Sequence, residues 1–162
     1  MITIPSSVTA IKKAAFCLCE ELEQISLPSS LERIEDYAFA RCKALKTISI
    51  PNSVKRIGVC AFAECESLEN INIPSSVTSI QRATFGRTAI TKIVIPSSVD
   101  IIGDCAFQGC QYLREIKIPS SVRAISKTAF KNCPSLQKNS IPSSLYIEEF
   151  DEDRSIKICL LI

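Results

Sequence analysis

The chain has 162 residues, a formal net charge of +2 and a hydrophobic content of 46%, and it contains no histidine. The absence of histidine excludes Ser-His-Asp and Cys-His catalysis and every zinc site built on a histidine pair, and four glycines leave no phosphate-binding loop. Residues 1–145 carry 17 Lys and Arg against 12 Asp and Glu, whereas residues 146–162 carry 2 against 5. An excess this small does not make a nucleic-acid interface, so the composition predicts neither an enzyme nor a nucleic-acid-binding protein, and it implies no cofactor.

Seven prolines divide the chain into units of 22 or 23 residues. They are Pro5, Pro28, Pro51, Pro74, Pro96, Pro119 and Pro142. A unit of this length cannot bury its own apolar side chains, so consecutive units must stack and share one continuous core. The sequence therefore predicts a solenoid domain over residues 1–145, followed by a degenerate C-terminal cap or tail over residues 146–162.

The elements of each unit follow in a fixed order. After the corner made by proline and two small polar residues, an aliphatic residue and an isoleucine three positions apart predict a short strand. Next comes a phenylalanine, followed three residues later by a cysteine in five units, and this spacing predicts a short helical turn. A Leu-x-x-Ile-x-Ile segment closes the unit, and its alternation predicts a second strand that the next proline ends. The phenylalanines are Phe16, Phe39, Phe62, Phe85, Phe107 and Phe130.

The repeated pattern resembles the BspA-type leucine-rich repeats, also described as the Treponema-type class. The residues that carry the resemblance are Ile73-Pro74-Ser75-Ser76-Val77-Thr78-Ser79-Ile80 and Asp36-Tyr37-Ala38-Phe39-Ala40-Arg41-Cys42-Lys43-Ala44-Leu45, and it covers residues 2–145. The resemblance implies an α/β repeat solenoid, a right-handed coil of about six repeats with a C-terminal cap. Seven parallel strands, counting Ile2–Ile4, would form a sheet on the concave face, with helical turns on the other side. It also implies a surface or secreted protein of bacteria or parasitic protists that adheres to host cells or matrix proteins.

The outward residues of the Leu-x-x-Ile-x-Ile segments form the candidate binding face. They are Gln24, Ser26, Thr47, Ser49, Asn70, Asn72, Lys92, Val94, Glu115, Lys117, Lys138 and Ser140. The first three rows are small and neutral, whereas the last three bring in charge. We interpret the face as a protein- or glycan-binding surface whose specificity is concentrated in the later strands. Its lack of aromatic residues disfavours a tight hot-spot interface and sugar stacking. A solvated face on a structural spacer is the equally open alternative.

Nine cysteines raise the question of disulfide or metal chemistry. Cys19, Cys42, Cys65, Cys110 and Cys133 share one repeat position, and we expect them to be buried free thiols because stacked side chains point in parallel and bridge poorly. The candidate exposed thiols lie off that position and are Cys17, Cys60, Cys105 and Cys159. They leave open a third function, a thiol-based redox or metal protein, although no Cys-x-x-Cys pair is present.

Two irregularities interrupt the repeat. The fourth unit is one residue short and has Thr88 where a cysteine is expected, which we interpret as a tolerated deletion in a surface turn rather than a kink that shapes a site. The pattern dissolves between residues 139 and 150, and the charges that follow are expected to cap that end. Residues 1–5 offer no such cap, so end-to-end self-association is an alternative function.

Location rests on the resemblance, because the sequence itself carries no targeting signal. We find no signal peptide and no apolar run of the roughly 18–20 residues that a membrane helix needs. A surface or secreted protein is therefore expected by resemblance, with a cytoplasmic location also open. The abrupt start within a repeat favours a fragment or a naturally short member of its class.

Overall fold

The computed structural model describes residues 1–137, 141 and 146–147, and these residues form thirteen short strands and no helix. Each coil begins at a proline, so that coils 1 to 6 comprise residues 5–27, 28–50, 51–73, 74–95, 96–118 and 119–141. The strands are β1 (Ile2–Thr3), β2 (Ala10–Ile11), β3 (Ile25–Ser26), β4 (Arg33–Ile34), β5 (Thr47–Ile48), β6 (Arg56–Ile57), β7 (Asn70–Ile71), β8 (Ser79–Ile80), β9 (Lys92–Val94), β10 (Ile101–Ile102), β11 (Glu115–Lys117), β12 (Ala124–Ser126) and β13 (Tyr146–Ile147).

The strands stand in two columns along the stack of coils. The odd-numbered strands β1 to β11 precede the prolines, and we call their outward surface the strand face. The other strands follow the prolines. Every pairing is parallel, and all except that of β12 with β13 join equivalent residues of adjacent coils, such as Ile11 with Ile34 and Ile93 with Ile116. The predicted solenoid of stacked coils is therefore confirmed.

The strand face differs from the predicted seven-stranded sheet. The described strands form three separate pairs, β1 with β3, β5 with β7, and β9 with β11. The interruption between β7 and β9 falls at the shortened fourth unit, where 22 residues instead of 23 separate Asn70 from Lys92. The sequence shows no matching change between β3 and β5. The seventh strand was predicted around residues 138–140, which lie outside the described residues.

The segment around each phenylalanine is an extended ribbon of turns, and the predicted helical turn is wrong there. We call the residues from two before each phenylalanine to three after it the Phe turn. In coil 2, the Ala40 N–H donates within the coil to the Tyr37 carbonyl (3.0 Å), as the Cys42 N–H does to the Phe39 carbonyl (3.2 Å). The intervening Phe39 N–H instead donates to the Ala61 carbonyl of the next coil (2.8 Å). Because every second N–H group donates its hydrogen bond to the next coil, the i to i−4 hydrogen bonds of an α-helix cannot form.

Each of the first five Phe turns has two left-handed residues that accompany this alternation, and the sixth has one. Their φ values lie between +50° and +74°. They are Ala14, Tyr37, Cys60, Ala83 and Cys105 before the phenylalanine, and Leu18, Arg41, Glu64, Arg87, Gly109 and Asn132 after it. All but one carry a side chain, so each stores local strain of about 1 kcal/mol. The hydrogen bonds between coils hold the backbone in this conformation.

A column of six phenylalanines fills the core beneath these turns. Successive rings are stacked at centroid distances of 5.2 to 5.9 Å, and the widest gap separates Phe62 from Phe85. The four inner rings are fully buried, and Phe16 and Phe130 at the two ends are half-buried. The column continues across the shortened unit, which supports the interpretation that its deletion is tolerated.

The second serine of the Pro-Ser-Ser corner has a structural role, because its hydroxyl forms a hydrogen bond with the preceding coil. In coil 3 the Val54 N–H donates to the Pro51 carbonyl (3.0 Å), which closes a turn. The Ser76 hydroxyl of the next coil then donates to the Val54 carbonyl (2.6 Å). Ser30, Ser98 and Ser121 make the same bond at their own coils. The corners of coils 2, 4, 5 and 6 are thus tied to the coil before them, whereas the Ser53 hydroxyl in coil 3 has no hydrogen-bond partner among the described residues.

Candidate functional site

The strand face presents the predicted binding residues to solvent. All ten of its candidates that the structure describes are exposed, while the isoleucines between them, such as Ile48 and Ile93, are buried except for the half-buried Ile71. Two further candidates, Lys138 and Ser140, lie outside the described residues. The alternation of a strand therefore places these side chains where a partner could reach them.

Coils 1 to 3 form a neutral half of this face. Its outward residues are Gln24, Ser26, Thr47, Ser49, Asn70 and Asn72. The side chain of Asn72 is already engaged, because its amide nitrogen donates to the Ile50 carbonyl (2.8 Å) and its oxygen accepts the Ile50 N–H (3.1 Å). Asn72 thus replaces a rung of backbone pairing and serves the scaffold, which sequence reasoning did not distinguish from a binding role.

Coils 4 and 5 form the charged half. The Lys92 ammonium lies 3.0 Å from the Glu115 carboxylate, so these two charges largely neutralise each other. Val94 lies beside Lys117 in the strand register and is 54% exposed, which is unusual for an aliphatic side chain in this fold. Lys117 itself makes no ion pair and no side-chain hydrogen bond with any described residue.

Sequence reasoning missed two residues beside this half. Arg114 immediately precedes β11, is exposed, and its side chain likewise has no partner among residues 1–137. Tyr112, three residues before β11, is 58% exposed. Both occupy repeat positions outside the pair of alternating outward residues of each strand. The repeat pattern does not show whether a side chain at such a position is exposed.

Most other charged side chains are used to join coils. Eight ion pairs connect described residues, and each links two adjacent coils. Arg123 and Asp100 make the shortest of them (2.7 Å), and Glu64 contacts both Arg41 and Arg87. Arg114 and Lys117 are unpaired within one strand segment, although Lys13, Arg33, Lys46, Arg82 and Lys131 also have no ion-pair partner among the described residues.

The cysteine column is largely structural. Cys42, Cys65 and Cys110 are fully buried free thiols, Cys133 is half-buried, and Cys19 in the first coil is exposed because no described coil precedes it. The Cys65 thiol donates to the Phe39 carbonyl (3.1 Å), and Cys42 makes the equivalent bond to Phe16. Burial raises the pKa of Cys42 to about 12, and it also raises the pKa of Cys65. Cys42 and Cys65 are therefore held in the unreactive protonated form.

The four candidate exposed thiols do not form a site. Cys60 is fully buried and is joined in a disulfide, so its prediction as an exposed free thiol is wrong. Cys17 and Cys105 are half-buried free thiols, and Cys159 lies outside the described residues. Burial raises the pKa of Cys17 despite the nearby Arg41. Within the described part of the chain, no three Cys, Asp or Glu residues are grouped so that they could hold a metal ion.

The surface of the first coil carries an open cavity. Its volume is about 520 Å³, and the residues that line it are Met1, Ile2, Leu18, Cys19, Glu20, Glu21, Leu22, Glu23 and Gln24. Ile2 and Leu18 are each more than two-fifths exposed. No helix among the described residues has the length and apolar character needed to cross a bilayer.

Comparison with known proteins identifies the repeat. The family described as BspA type leucine-rich repeat region matches residues 1–101 and 79–154, in six copies. A leucine-rich repeat protein from Bacteroides ovatus is 30% identical, with a TM-score of 0.77 over 90% of this chain and 46% of its own. A leucine-rich repeat protein from T. pallidum is 31% identical, with a TM-score of 0.78 over 83% of this chain and 65% of its own.

A further similar structure bears on location. A leucine-rich cell surface protein from Faecalibacterium prausnitzii is 25% identical, with a TM-score of 0.54 over 84% of this chain and 58% of its own. No curated protein matches significantly. The chain thus spans about half to two-thirds of the length of these three structures.

Proposed function

Because this chain belongs to the BspA-type leucine-rich repeat family, we propose that it is a non-enzymatic protein-interaction module whose strand face binds a protein of a host cell or its matrix. The observation that supports this most is a difference between the Phe turns and corners of each coil and its strand face. The Phe turns and corners use their polar groups to join coils, whereas all but one of the neutral strand-face side chains have no such task. A repeat scaffold that leaves one surface free offers it to a partner.

A surface location agrees with this function. The similar protein from F. prausnitzii is described as a cell surface protein. A polar face that alternates with buried isoleucines keeps the module soluble until a partner covers it. We place the module at the cell surface or in the secreted fraction, as part of adhesion.

The test is binding to purified extracellular-matrix proteins and to cultured host cells, with substitutions that block the face sterically. We expect Thr47→Tyr combined with Val94→Tyr to abolish binding, because the new rings stand in the middle of both halves of the face. Thr78→Tyr, exposed beside the post-proline strand β8, is the control and should bind as wild type does. Undiminished binding by the double variant would refute the strand face as the site.

Self-association through the solenoid ends is the second candidate, and the exposed apolar groups of the first coil favour it. The cavity there and the exposed Ile2 and Leu18 would be covered if a second copy stacked on this end. Light scattering across a concentration series, with and without reductant, tests this. Mass that rises with concentration in reductant, and that falls back in Ile2→Lys, would support stacking. A constant monomer mass would contradict it.

A further inference from the structure

The charged half of the strand face combines free cations with an exposed aliphatic side chain. Lys92 and Glu115 neutralise each other at 3.0 Å, which leaves the charge of this half with Arg114 and Lys117. Val94 lies directly across the strand pair from Lys117. Neighbouring strands lie about 4.8 Å apart. The side chains of Lys117 and Val94 are therefore close enough to contact neighbouring residues of one bound peptide.

We propose that this half, formed by Arg114, Lys117 and Val94, recognises an extended acidic polypeptide segment that also carries aliphatic side chains. This inference rests on the proposed function and specifies the partner's chemistry. Carboxylates of such a segment would pair with the Arg114 guanidinium and the Lys117 ammonium. An aliphatic side chain next to the carboxylate at Lys117 would cover Val94, which lies across the strand pair from Lys117.

Charge complementarity supports this occupant over the alternatives. The Leu-x-x-Ile-x-Ile segment of coil 5 carries two unpaired cations, Arg114 and Lys117, whereas the same segments of coils 1 to 3 carry one cation, Lys46, and two carboxylates, Glu23 and Glu69. A polyanion without apolar groups, such as a sulfated polysaccharide, would satisfy the cations and leave Val94 uncovered. An apolar partner would instead leave two cations desolvated and unpaired, which is costly.

The chain itself supplies a matched control. Lys46 in coil 2 occupies the repeat position of Arg114, since each directly follows the leucine of its Leu-x-x-Ile-x-Ile segment, and each is exposed. Charge reversal at either residue changes the net charge equally. Only Arg114→Glu alters the charged half.

The experiment titrates the full chain with a labelled peptide of alternating glutamate and valine, monitored by fluorescence anisotropy. We expect saturable binding that weakens with added salt, a loss of affinity of about tenfold in Arg114→Glu and in Lys117→Glu, and a smaller loss in Val94→Ser. Lys46→Glu should bind as wild type does. A peptide with glutamine in place of glutamate should not bind.

Several outcomes would overturn the inference. Absence of binding, or equal losses in Lys46→Glu and Arg114→Glu, would show that no acidic-peptide site exists here. Binding of dextran sulfate that is as strong as peptide binding and indifferent to Val94→Ser would assign the face to a polyanion instead. If the tyrosine substitutions abolish the binding of a matrix protein but Arg114→Glu does not weaken it, the inferred acidic-segment chemistry is refuted while the proposed function stands.

Discussion

Along the Phe turns every coil repeats the same contacts, whereas along the strand face adjacent rows present different side chains. The turns form an unbroken ladder of backbone hydrogen bonds and stacked rings from Phe16 to Phe130. The strand face is interrupted twice and bears neutral groups at one end and charged groups at the other. The comparison teaches that the regular contacts between coils are concentrated in the Phe turns, which leaves the strand face for the recognition that we propose.

Removal of a ring from the middle of the column should have the largest effect. Phe62 is fully buried between Phe39 and Phe85, so we expect Phe62→Ala to lower the free energy of unfolding by about 3–5 kcal/mol. Urea denaturation followed by circular dichroism measures this. Phe16→Ala is the control at the half-buried end and should cost clearly less; equal losses would show that the column does not act through burial.

The close approach of coils 2 and 3 at Gly58 is the next point of sensitivity. A Cβ atom at this residue would lie 2.6 Å from the Asp36 nitrogen, so the coils would have to separate. We expect Gly58→Ala to destabilise the protein by about 1–3 kcal/mol. At Gly86 the nearest atoms would lie at 3.6 Å, and thermal unfolding should show almost no change for Gly86→Ala. A neutral effect at both glycines would refute the tight contact.

The cysteine column should contribute less than the rings. Cys65→Ala removes the hydrogen bond to the Phe39 carbonyl and a small buried volume, and we expect a loss of about 1–2 kcal/mol in denaturant unfolding. Cys19 occupies the same repeat position but is exposed, so Cys19→Ala should be neutral. If Cys65→Ala left the free energy of unfolding unchanged, the thiol of Cys65 would not stabilise the fold.

Two asparagines of one strand sharpen the comparison on the strand face itself. Asn72 bridges to both backbone groups of Ile50, and its replacement by alanine should cost about 1–2 kcal/mol. Asn70, two residues earlier, points to solvent, and Asn70→Ala should leave the unfolding midpoint unchanged. The reverse order of the two effects would contradict the assigned roles.

The smallest effect concerns acid stability. A hydrogen bond from Lys12, together with the Lys13 amide and the charge of Arg33, lowers the pKa of Glu35. A lowered folded-state pKa stabilises the protein above the unfolded-state pKa of about 4.3, and this stabilisation is lost as the pH falls through the folded value. The difference in unfolding midpoint between wild type and Glu35→Gln should therefore shrink from pH 6 to about pH 3. A pH-independent difference would show that the ionised carboxylate does not contribute.

The repeat made the coils, both strand columns and the phenylalanine column predictable. Each depends on periodic apolar residues that must face one core. The Phe-turn ribbon could not be predicted, because its left-handed positions carry residues such as Tyr37 and Arg41 instead of the glycine that normally signals such a backbone. The bridging role of Asn72 depends on the coil next to it in space, which one unit of sequence does not reveal.

Native-state hydrogen exchange tests most directly whether the Phe turns hold the stack while the strand face is free for recognition. The account predicts that the amides of Phe39, Phe62 and Phe85 exchange only through global unfolding, with an opening free energy equal to that from urea denaturation. Amides beside the interruption between β3 and β5, such as that of Leu27, should exchange through smaller local openings. Equal or greater protection at Leu27 would contradict the division between the two sides.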